Sequence, residues 1–238
     1  MLMYKMRSKF YKKEDMVFIS HLDLLRVFER AMRRAKIPIA YTQGFNPHPI
    51  MAFATALGLG ISSDAEYIDI TLYESVDENV FMDRVNKVLP EGLKLVKSKD
   101  VSIKEDSLMS IVKSSSYLVR FILNEKMDKN IFEEKLKEFE NLDTIIIKKE
   151  KRKRKGNRWI NKVQEIDIKE SIHSIELAQI EDMEVMLRMK LTAGEVGNIK
   201  PEIVLEELAN HVNINYNKDS LRIHRINLLN ESEEDLMQ

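Results

Sequence analysis

The chain has 238 residues, 44% of them apolar, which allows one large domain or two small ones with a real core. Its 38 lysines and arginines nearly balance 39 acidic residues, so only local clusters of charge could recognise a nucleic acid. The absence of cysteine excludes disulfides, thiol nucleophiles, thiolate zinc sites and cysteine-ligated iron–sulfur clusters within this sequence.

The first half of the chain predicts the element order β-α-β-β-α-β. Tyr4, Met6 and Phe10 alternate as in a strand, and Ser20 with Asp23 forms a capping-box-like start to a helix that Pro38 ends. The remaining elements are strands at Ile50–Leu57 and Tyr67–Tyr73, a helix at Asp77–Leu89, and a strand at Leu93–Val101.

The second half predicts a similar order. Its elements are a strand at Tyr117–Leu123, a helix at Asp128–Phe139, a strand at Thr144–Lys149 that runs into a basic hairpin, an alternating strand at Met183–Leu191, a helix from Pro201, and a strand at Leu221–Leu228. The stretch Val163–Ile180 fits no element of this pattern.

We therefore expect an α+β fold of two tandem ferredoxin-like (βαββαβ) domains. The predicted boundaries are 1–106 for the first domain, 107–116 for a serine-rich linker, 117–230 for the second domain, and 231–238 for a frayed acidic tail.

Arginines are concentrated on the first predicted helix. Arg26, Arg30 and either Arg33 or Arg34 follow spacings of three and four residues, so their guanidinium groups share a face. A planar guanidinium matches phosphate geometry better than lysine does. The alternative is a solvated face on which Glu29 pairs with Arg33.

The loop Thr42–Pro49 gathers side chains suited to recognition. Gln43 and Asn46 offer donors and acceptors for base edges or ribose, and two prolines restrict the backbone around His48. Phe45 could stack on a base. Alternatively, this is a tight turn in which Gly44 and Asn46 take positive φ and Phe45 fills the core.

His21, Asp23 and His48 are the candidates for catalysis. The helix dipole favours a neutral His21, which could act with His48 as an acid/base pair for metal-independent RNA cleavage. The same three residues could instead bind a divalent metal, or serve only in capping and hydrogen bonding. The sequence does not show that they meet, so we predict no metal site and no cofactor.

The segment Lys148–Arg158, KKEKRKRKGNR, holds eight basic residues among eleven and is followed by Trp159. Gly156-Asn157 predicts its turn, and such a finger suits a phosphate backbone, although a solvated hairpin is the alternative. The predicted nucleic-acid-binding residues are Arg26, Arg30, Arg33, Gln43, Asn46, His48, Lys151, Arg152, Arg154, Lys155 and Arg158. The loop Thr192–Pro201 could cradle a phosphate but is more typical of a connector.

The segment SHLDLLRVFERAMRRAKIPIAYTQGFNPHP at Ser20–Pro49 resembles the radical-SAM-linked family of bacterial proteins of unknown function, as do AEYIDITL at Ala65–Leu72 and the later glycine-bearing loop. Those domains occur fused to, or encoded beside, a radical-SAM protein. The resemblance implies a radical-SAM partner and a role in RNA or ribosome-related modification, with no catalytic residues to carry over. The members of that family resemble tandem ferredoxin-like RNA endonucleases of CRISPR systems in fold only.

Three functions follow as hypotheses. The first is an RNA-binding accessory module that presents tRNA or rRNA to a radical-SAM enzyme, and the others are a metal-independent endoribonuclease and a protein–protein adaptor for the radical-SAM partner. No apolar run approaches the roughly 18 residues that a membrane span needs, and residues 1–13 lack a signal-peptide core, so we expect a cytoplasmic protein without membrane contacts.

Overall fold

The computed structural model describes residues 3–155 and 158–237, with side chains described outside 151–162. The described residues form an α+β fold with a large mixed sheet and five α-helices. The helices are α1 His21–Arg34, α2 Glu78–Asn86, α3 Leu108–Ile111, α4 Lys129–Glu140 and α5 Pro201–His211. The strands are β1 Tyr4–Lys12, β2 Met51–Phe53, β3 Ser62–Leu72, β4 Leu93–Val101, β5 Ser114–Leu123, β6 Ile146–Lys155, β7 Arg158–Asp167, β8 Ile172–Glu181, β9 Glu184–Thr192 and β10 Tyr216–Leu229.

The chain divides into two compact units that interleave in sequence. Unit 1 comprises residues 1–118, 193–196 and 222–238, and unit 2 comprises residues 119–192 and 197–221. The predicted domains 1–106 and 117–230 are continuous, whereas in the structure two segments of the second half belong to unit 1. The division falls inside β5 and β10, since each of these strands contributes residues to both units.

In unit 1 the strands lie in the order β4-β1-β3, with β2 and β10 also paired to β3. The β1–β3, β1–β4 and β2–β3 pairs are antiparallel, and the β3–β10 pair is parallel. The elements before β5 follow the predicted β-α-β-β-α-β order, to which the structure adds the short α3.

Helix α1 covers this sheet with one apolar stripe. Ser20 caps it by accepting a hydrogen bond from the backbone N–H of Asp23 (3.1 Å), as the sequence predicts. Leu24, Phe28 and Met32 are buried at spacings of four residues, and the ring of Phe28 meets that of Phe10 of β1 at 4.9 Å. The opposite stripe of α1 is therefore left for charged side chains.

Two segments that the sequence analysis treats as unstructured belong to the core of unit 1. The predicted linker Ser107–Ser116 contains α3 and the start of β5, and buries Leu108 and Val112. The predicted frayed tail is also packed, because Leu236 and Met237 are buried. Serine-rich and acidic composition indicated solvent exposure, but the apolar residues within each segment decide its placement.

Asp235 fastens the end of the chain. Its Oδ2 accepts hydrogen bonds from Lys9 Nζ (2.7 Å) and from the Tyr67 hydroxyl (2.7 Å). Burial opposes the charge of this carboxylate, but those hydrogen bonds hold its pKa below the usual aspartate value, while burial together with Asp235 raises the pKa of Tyr67. The carboxylate therefore remains ionised in its half-buried position.

A charged cluster lies inside unit 1. The fully buried Arg225 of β10 donates to Glu66 Oε1 (2.8 Å), to Thr55 (3.0 Å) and to the Tyr117 hydroxyl (3.0 Å). Burial disfavours the charge of Arg225, yet the Glu66 carboxylate raises its pKa. Lys12 is buried nearby, and its pKa is lowered because desolvation outweighs the attraction of Glu66. Glu66 thus compensates the charges of two buried cations.

In unit 2 the strands lie in the order β10-β5-β9-β8, where β10 contributes residues up to Leu221. Helix α4 follows β5 at the position predicted for a helix, and Asp128 caps it. The predicted alternation of β9 is confirmed, since Val185, Leu187 and Met189 are buried. The unassigned stretch Val163–Ile180 contains the second half of β7 and nearly all of β8, and thus completes a hairpin and adds a strand.

Gly194 has a structural function. Its φ is +93°, and a Cβ there would lie 2.2 Å from the carbonyl oxygen of Val112. We expect Gly194→Ala to lower the free energy of unfolding by at least about 2 kcal/mol through backbone strain and overlap. Gly197→Ala is the matched control, because its Cβ would meet only the Thr192 methyl at 3.6 Å. Denaturant unfolding measures both, and equal stabilities would contradict this role of Gly194.

The buried pair of Arg225 and Glu66 gives a second prediction. Glu66→Gln leaves two buried cations without a carboxylate, so we expect the free energy of unfolding to fall by about 3–5 kcal/mol. The control is Glu184→Gln, which removes the partner of Arg120 in an exposed pair (3.4 Å) and should cost at most about 1 kcal/mol. Similar losses in the two variants would show that the buried pair stabilises the fold no more than the exposed pair does.

Candidate nucleic-acid interface

The four arginines of α1 are exposed, and three of them have a partner. Arg26 Nη1 binds Asp23 Oδ1 (2.9 Å) and Arg33 Nη2 binds Glu29 Oε1 (2.9 Å), which confirms the Glu29–Arg33 pair that the sequence allowed. Arg34 donates to the carbonyl oxygen of Val88 (2.8 Å). Arg30 is exposed and makes no ion pair with any described residue. Exposed pairs of this kind contribute about 1 kcal/mol or less, so a phosphate can compete for these groups.

Asp23 lies at the start of α1 and hydrogen-bonds both the capping residue Ser20 and Arg26. The Ser20 hydroxyl donates to its Oδ2 (2.7 Å), and this bond together with that from Arg26 lowers the pKa of Asp23. The carboxylate organises the start of α1 and offsets part of its positive charge.

The loop Thr42–Pro49 is closed at its base and exposed at its tip. The backbone N–H of Thr42 donates to the carbonyl of His48 (2.9 Å), and the N–H of His48 donates to the Thr42 hydroxyl (3.1 Å). Gly44 has a φ of 130°, whereas Asn46 has no positive φ. The side chains of the loop's four recognition candidates are exposed; they are Gln43, Phe45, Asn46 and His48.

Phe45 decides between the two interpretations of this loop. Its side chain is fully exposed, at 113% of the reference area. The alternative in which Phe45 fills the core is therefore wrong, and the loop presents an aromatic face to solvent.

The three catalytic candidates are not brought together by any described contact. His21 packs edge-on against the ring of Phe53 at 5.1 Å, and Asp23 pairs with Ser20 and Arg26. The hydrogen bonds of the His48 backbone close its own loop. Within residues 3–155 and 158–237, no group of three or more histidine and carboxylate side chains is placed to hold a metal ion.

The basic hairpin is a two-stranded antiparallel ribbon. Strands β6 and β7 pair continuously from Ile146 with Asp167 to Lys155 with Arg158. Within the described part of the chain they form a sheet of their own. Five predicted phosphate ligands have their backbones in the distal half of this ribbon: Lys151, Arg152, Arg154, Lys155 and Arg158. The predicted turn Gly156-Asn157 lies outside the described residues.

The glycine-bearing loop Thr192–Pro201 behaves as a connector. The close approach of Gly194 to Val112 accounts for its glycine, and α5 begins at Pro201 without a side-chain cap. A cavity of about 570 Å³ in unit 1 includes Glu105, Asp106 and Asp235 in its lining, so its charge does not suit a phosphate.

A further polar cluster in unit 1 was not predicted from the sequence. Ser62 and Asp64 of β3 both hydrogen-bond His224 of β10, and Lys13 pairs with Asp64 (2.7 Å). Some 160 residues separate the histidine from its partners. No local pattern marks the pairing, because Ser62 and Asp64 lie outside the strands predicted at Ile50–Leu57 and Tyr67–Tyr73.

None of the described helices combines the length and the apolar character that crossing a membrane requires. Among curated proteins, none matches the sequence.

Several solved structures show a distant similarity. The chain in an H/ACA RNP bound to a substrate RNA containing 2'-deoxyuridine is 8% identical with a TM-score of 0.49, and the match covers 94% of this chain and 47% of that one. A chain of the archaeal box H/ACA sRNP Nop10-Cbf5 complex is 10% identical with a TM-score of 0.47, over 92% and 46%. An unknown protein from Galdieria sulphuraria is 8% identical with a TM-score of 0.27, over 91% and 97%.

The chain thus spans about half the length of the two H/ACA chains, 47% and 46%. TM-scores of 0.49 and below at such low identity do not establish a shared function. Residues 5–201 match a family profile over most of the chain. This chain belongs to the family described as "Uncharacterized protein conserved in bacteria (DUF2344)".

Proposed function

We propose that this chain is an RNA-binding accessory module that acts with a radical-SAM enzyme in the modification or processing of tRNA or rRNA. The observation that carries the RNA-binding part is the ribbon of β6 and β7, whose distal half holds most of the eight basic residues of Lys148–Arg158.

The ribbon has the dimensions of a backbone-binding element. Each strand has ten residues, which at about 3.3 Å per residue gives a length of about 30 Å. Positive charge along such a length can meet several successive phosphates, and the released counterions make the binding strongly dependent on salt. Contacts of this kind hold an RNA without reading its sequence.

Unit 1 adds groups suited to unpaired nucleotides. The exposed ring of Phe45 offers a stacking surface, and Gln43 and Asn46 beside it carry donors and acceptors for base edges. The exposed guanidinium groups of Arg26 and Arg30 supply charge for neighbouring phosphates. This combination favours RNA with unstacked bases.

The proposal of a radical-SAM partner rests on the family resemblance of Ser20–Pro49 and on the amino-acid composition. This sequence has no cysteine to ligate an iron–sulfur cluster, so radical chemistry would belong to the partner. We assign this chain the binding of the substrate RNA.

We further propose that the two units are tandem ferredoxin-like domains. The strand order β4-β1-β3-β2 in unit 1 supports this proposal, and so does the order β10-β5-β9-β8 in unit 2 when the β6–β7 ribbon is taken as an insertion. The endoribonuclease alternative has no supporting contact, since His21 packs on Phe53.

Neutralising the ribbon tests the RNA-binding proposal. We expect Lys151, Lys153 and Lys155 changed together to Gln to weaken binding of a tRNA or rRNA fragment. The slope of log affinity against log salt should fall by about 0.7–0.9 for each phosphate that the variant no longer neutralises. Gel shifts over a range of salt concentrations measure both quantities.

The matched control removes the same charge elsewhere in unit 2. Lys126, Lys129 and Lys137 are exposed, and two of them pair with Asp182 and Glu133. Changing all three to Gln should leave the salt slope nearly unchanged. Equal weakening by the two triple variants would reject the ribbon as the binding element.

A nuclease-resistant complex with the radical-SAM partner, together with no RNA retention at low salt, would favour the adaptor function.

Stacking on Phe45 is tested separately. We expect Phe45→Leu to weaken binding of single-stranded RNA by about 1–3 kcal/mol, and Phe45→Trp to retain it, because a stacked base needs an aromatic face. The control is Phe18→Leu, another exposed phenylalanine of unit 1 with 72% of its surface accessible. Unchanged affinity in Phe45→Leu would remove this loop from the interface.

A further inference from the structure

A serine, a histidine and an aspartate lie in one hydrogen-bonded line in unit 1. Ser62 and Asp64 are two residues apart in β3, so their side chains leave the same face of the strand. His224 of β10 is the register partner of Ser62. Its imidazole Nδ1 lies 2.9 Å from Ser62 Oγ, and its Nε2 lies 2.9 Å from Asp64 Oδ2. The ring therefore bridges the hydroxyl and the carboxylate.

The direction of these hydrogen bonds follows from the chemistry of the partners. An ionised carboxylate can only accept, so the Nε2 of His224 carries the hydrogen. In the neutral form of the ring, Nδ1 is then an acceptor to which the Ser62 hydroxyl can donate. This is the order of donors that activates a nucleophilic serine through a histidine base.

Lys13 holds the carboxylate in place. Its Nζ lies 2.7 Å from Asp64 Oδ1, while Oδ2 remains on the histidine. Partial burial opposes the charge of Asp64, but the hydrogen bonds from Lys13 and His224 lower its pKa. Asp64 is therefore ionised at neutral pH and positions the His224 ring.

We propose that Ser62, His224 and Asp64 form an acyl-transfer site that acts on small, unhindered carboxylic esters. The side chains of His224 and Asp64 are 27% and 48% exposed, so solvent and a small substrate reach the cluster. This activity goes beyond RNA binding and does not depend on it.

The reaction has two steps. Ser62 Oγ attacks the ester carbonyl carbon while His224 Nδ1 takes the hydroxyl proton; the C–O bond to the alcohol then breaks, and His224 returns the proton to the leaving oxygen. Water, deprotonated by His224, next attacks the acyl-serine and releases the carboxylic acid, which restores the Ser62 hydroxyl.

The same hydrogen bonds would also exist if the cluster had only a structural role, as a pin that holds β3 and β10 together. A pin requires the hydrogen bonds but gives Ser62 no nucleophilic reactivity. Reactivity of Ser62 toward an electrophile therefore separates the two roles.

A fluorophosphonate probe tests the proposal on the full chain. Ser62 Oγ forms the P–O bond, the P–F bond breaks, fluoride leaves, and His224 takes the proton. Mass spectrometry of the unmodified protein should locate the adduct on Ser62. Ser62→Ala should abolish this adduct, whereas Ser102→Ala, at an exposed serine, should retain it.

The two supporting residues are tested by rate. We expect His224→Gln to slow adduct formation about 100-fold, as the loss of a general base does. Asp64→Asn should lower the maximal labelling rate without changing the probe concentration at half-maximal rate, because it acts through the histidine. Folding of each variant is checked by thermal unfolding.

Two results would overturn the proposal. The first is a folded, unmodified protein that carries no adduct on Ser62 at saturating probe, and this result does not depend on any variant. The second is a folded His224→Gln variant that is labelled at the rate of the unmodified protein. Either result would leave the cluster as a pin between strands.

Discussion

A buried ion pair of Arg225 with Glu66 joins several elements of unit 1 at its core. A guanidinium removed from water is costly unless its donors find acceptors, and here a carboxylate, a hydroxyl and a phenol surround it. The partners come from β3, from β5 and from the segment after β2. The pair thus fixes the chain's last strand, β10, against elements that precede it by more than a hundred residues.

Charge has opposite roles in different parts of this molecule. The buried Arg225 binds Glu66, Thr55 and Tyr117 through its two terminal nitrogens and is closed to a ligand. Arg26 and Arg33 of α1 are held only by exposed neighbours on their own helix, so a polyanion can replace those partners at little cost. The positive charge of Lys148–Arg158 lies on a ribbon that pairs with no other described strand. The proposed function is therefore assigned to α1 arginines whose partners are weak and to the charge that the sequence places on the ribbon.

Local signals in the sequence predicted the local structure. Ser20 and Asp128 mark the starts of α1 and α4 because a cap acts within a few residues, and alternation identified β9 because a half-buried strand repeats every second residue. The burial of Leu108 and Val112 within Ser107–Ser116 was not predicted, because they pack against residues far along the chain, which composition does not encode.

The candidate interface could be predicted only where local sequence signals mark it. The exposed loop and the ribbon follow from turn residues and charge. Whether Phe45 faces solvent or core could not be read from its neighbours, since both fit a turn. His224 was beyond reach because its partners in β3 lie some 160 residues away and only the parallel β3–β10 register brings them together.

The isolation of the β6–β7 ribbon also bears on self-association. Both outer edges of a two-stranded ribbon present backbone groups to which another copy could add a strand. Lysines and arginines of like sign repel such a copy, so the charges proposed to attract a polyanion would also keep the free protein dispersed. Under the proposed function, a bound nucleic acid would neutralise this repulsion, and several copies could then gather along one polymer.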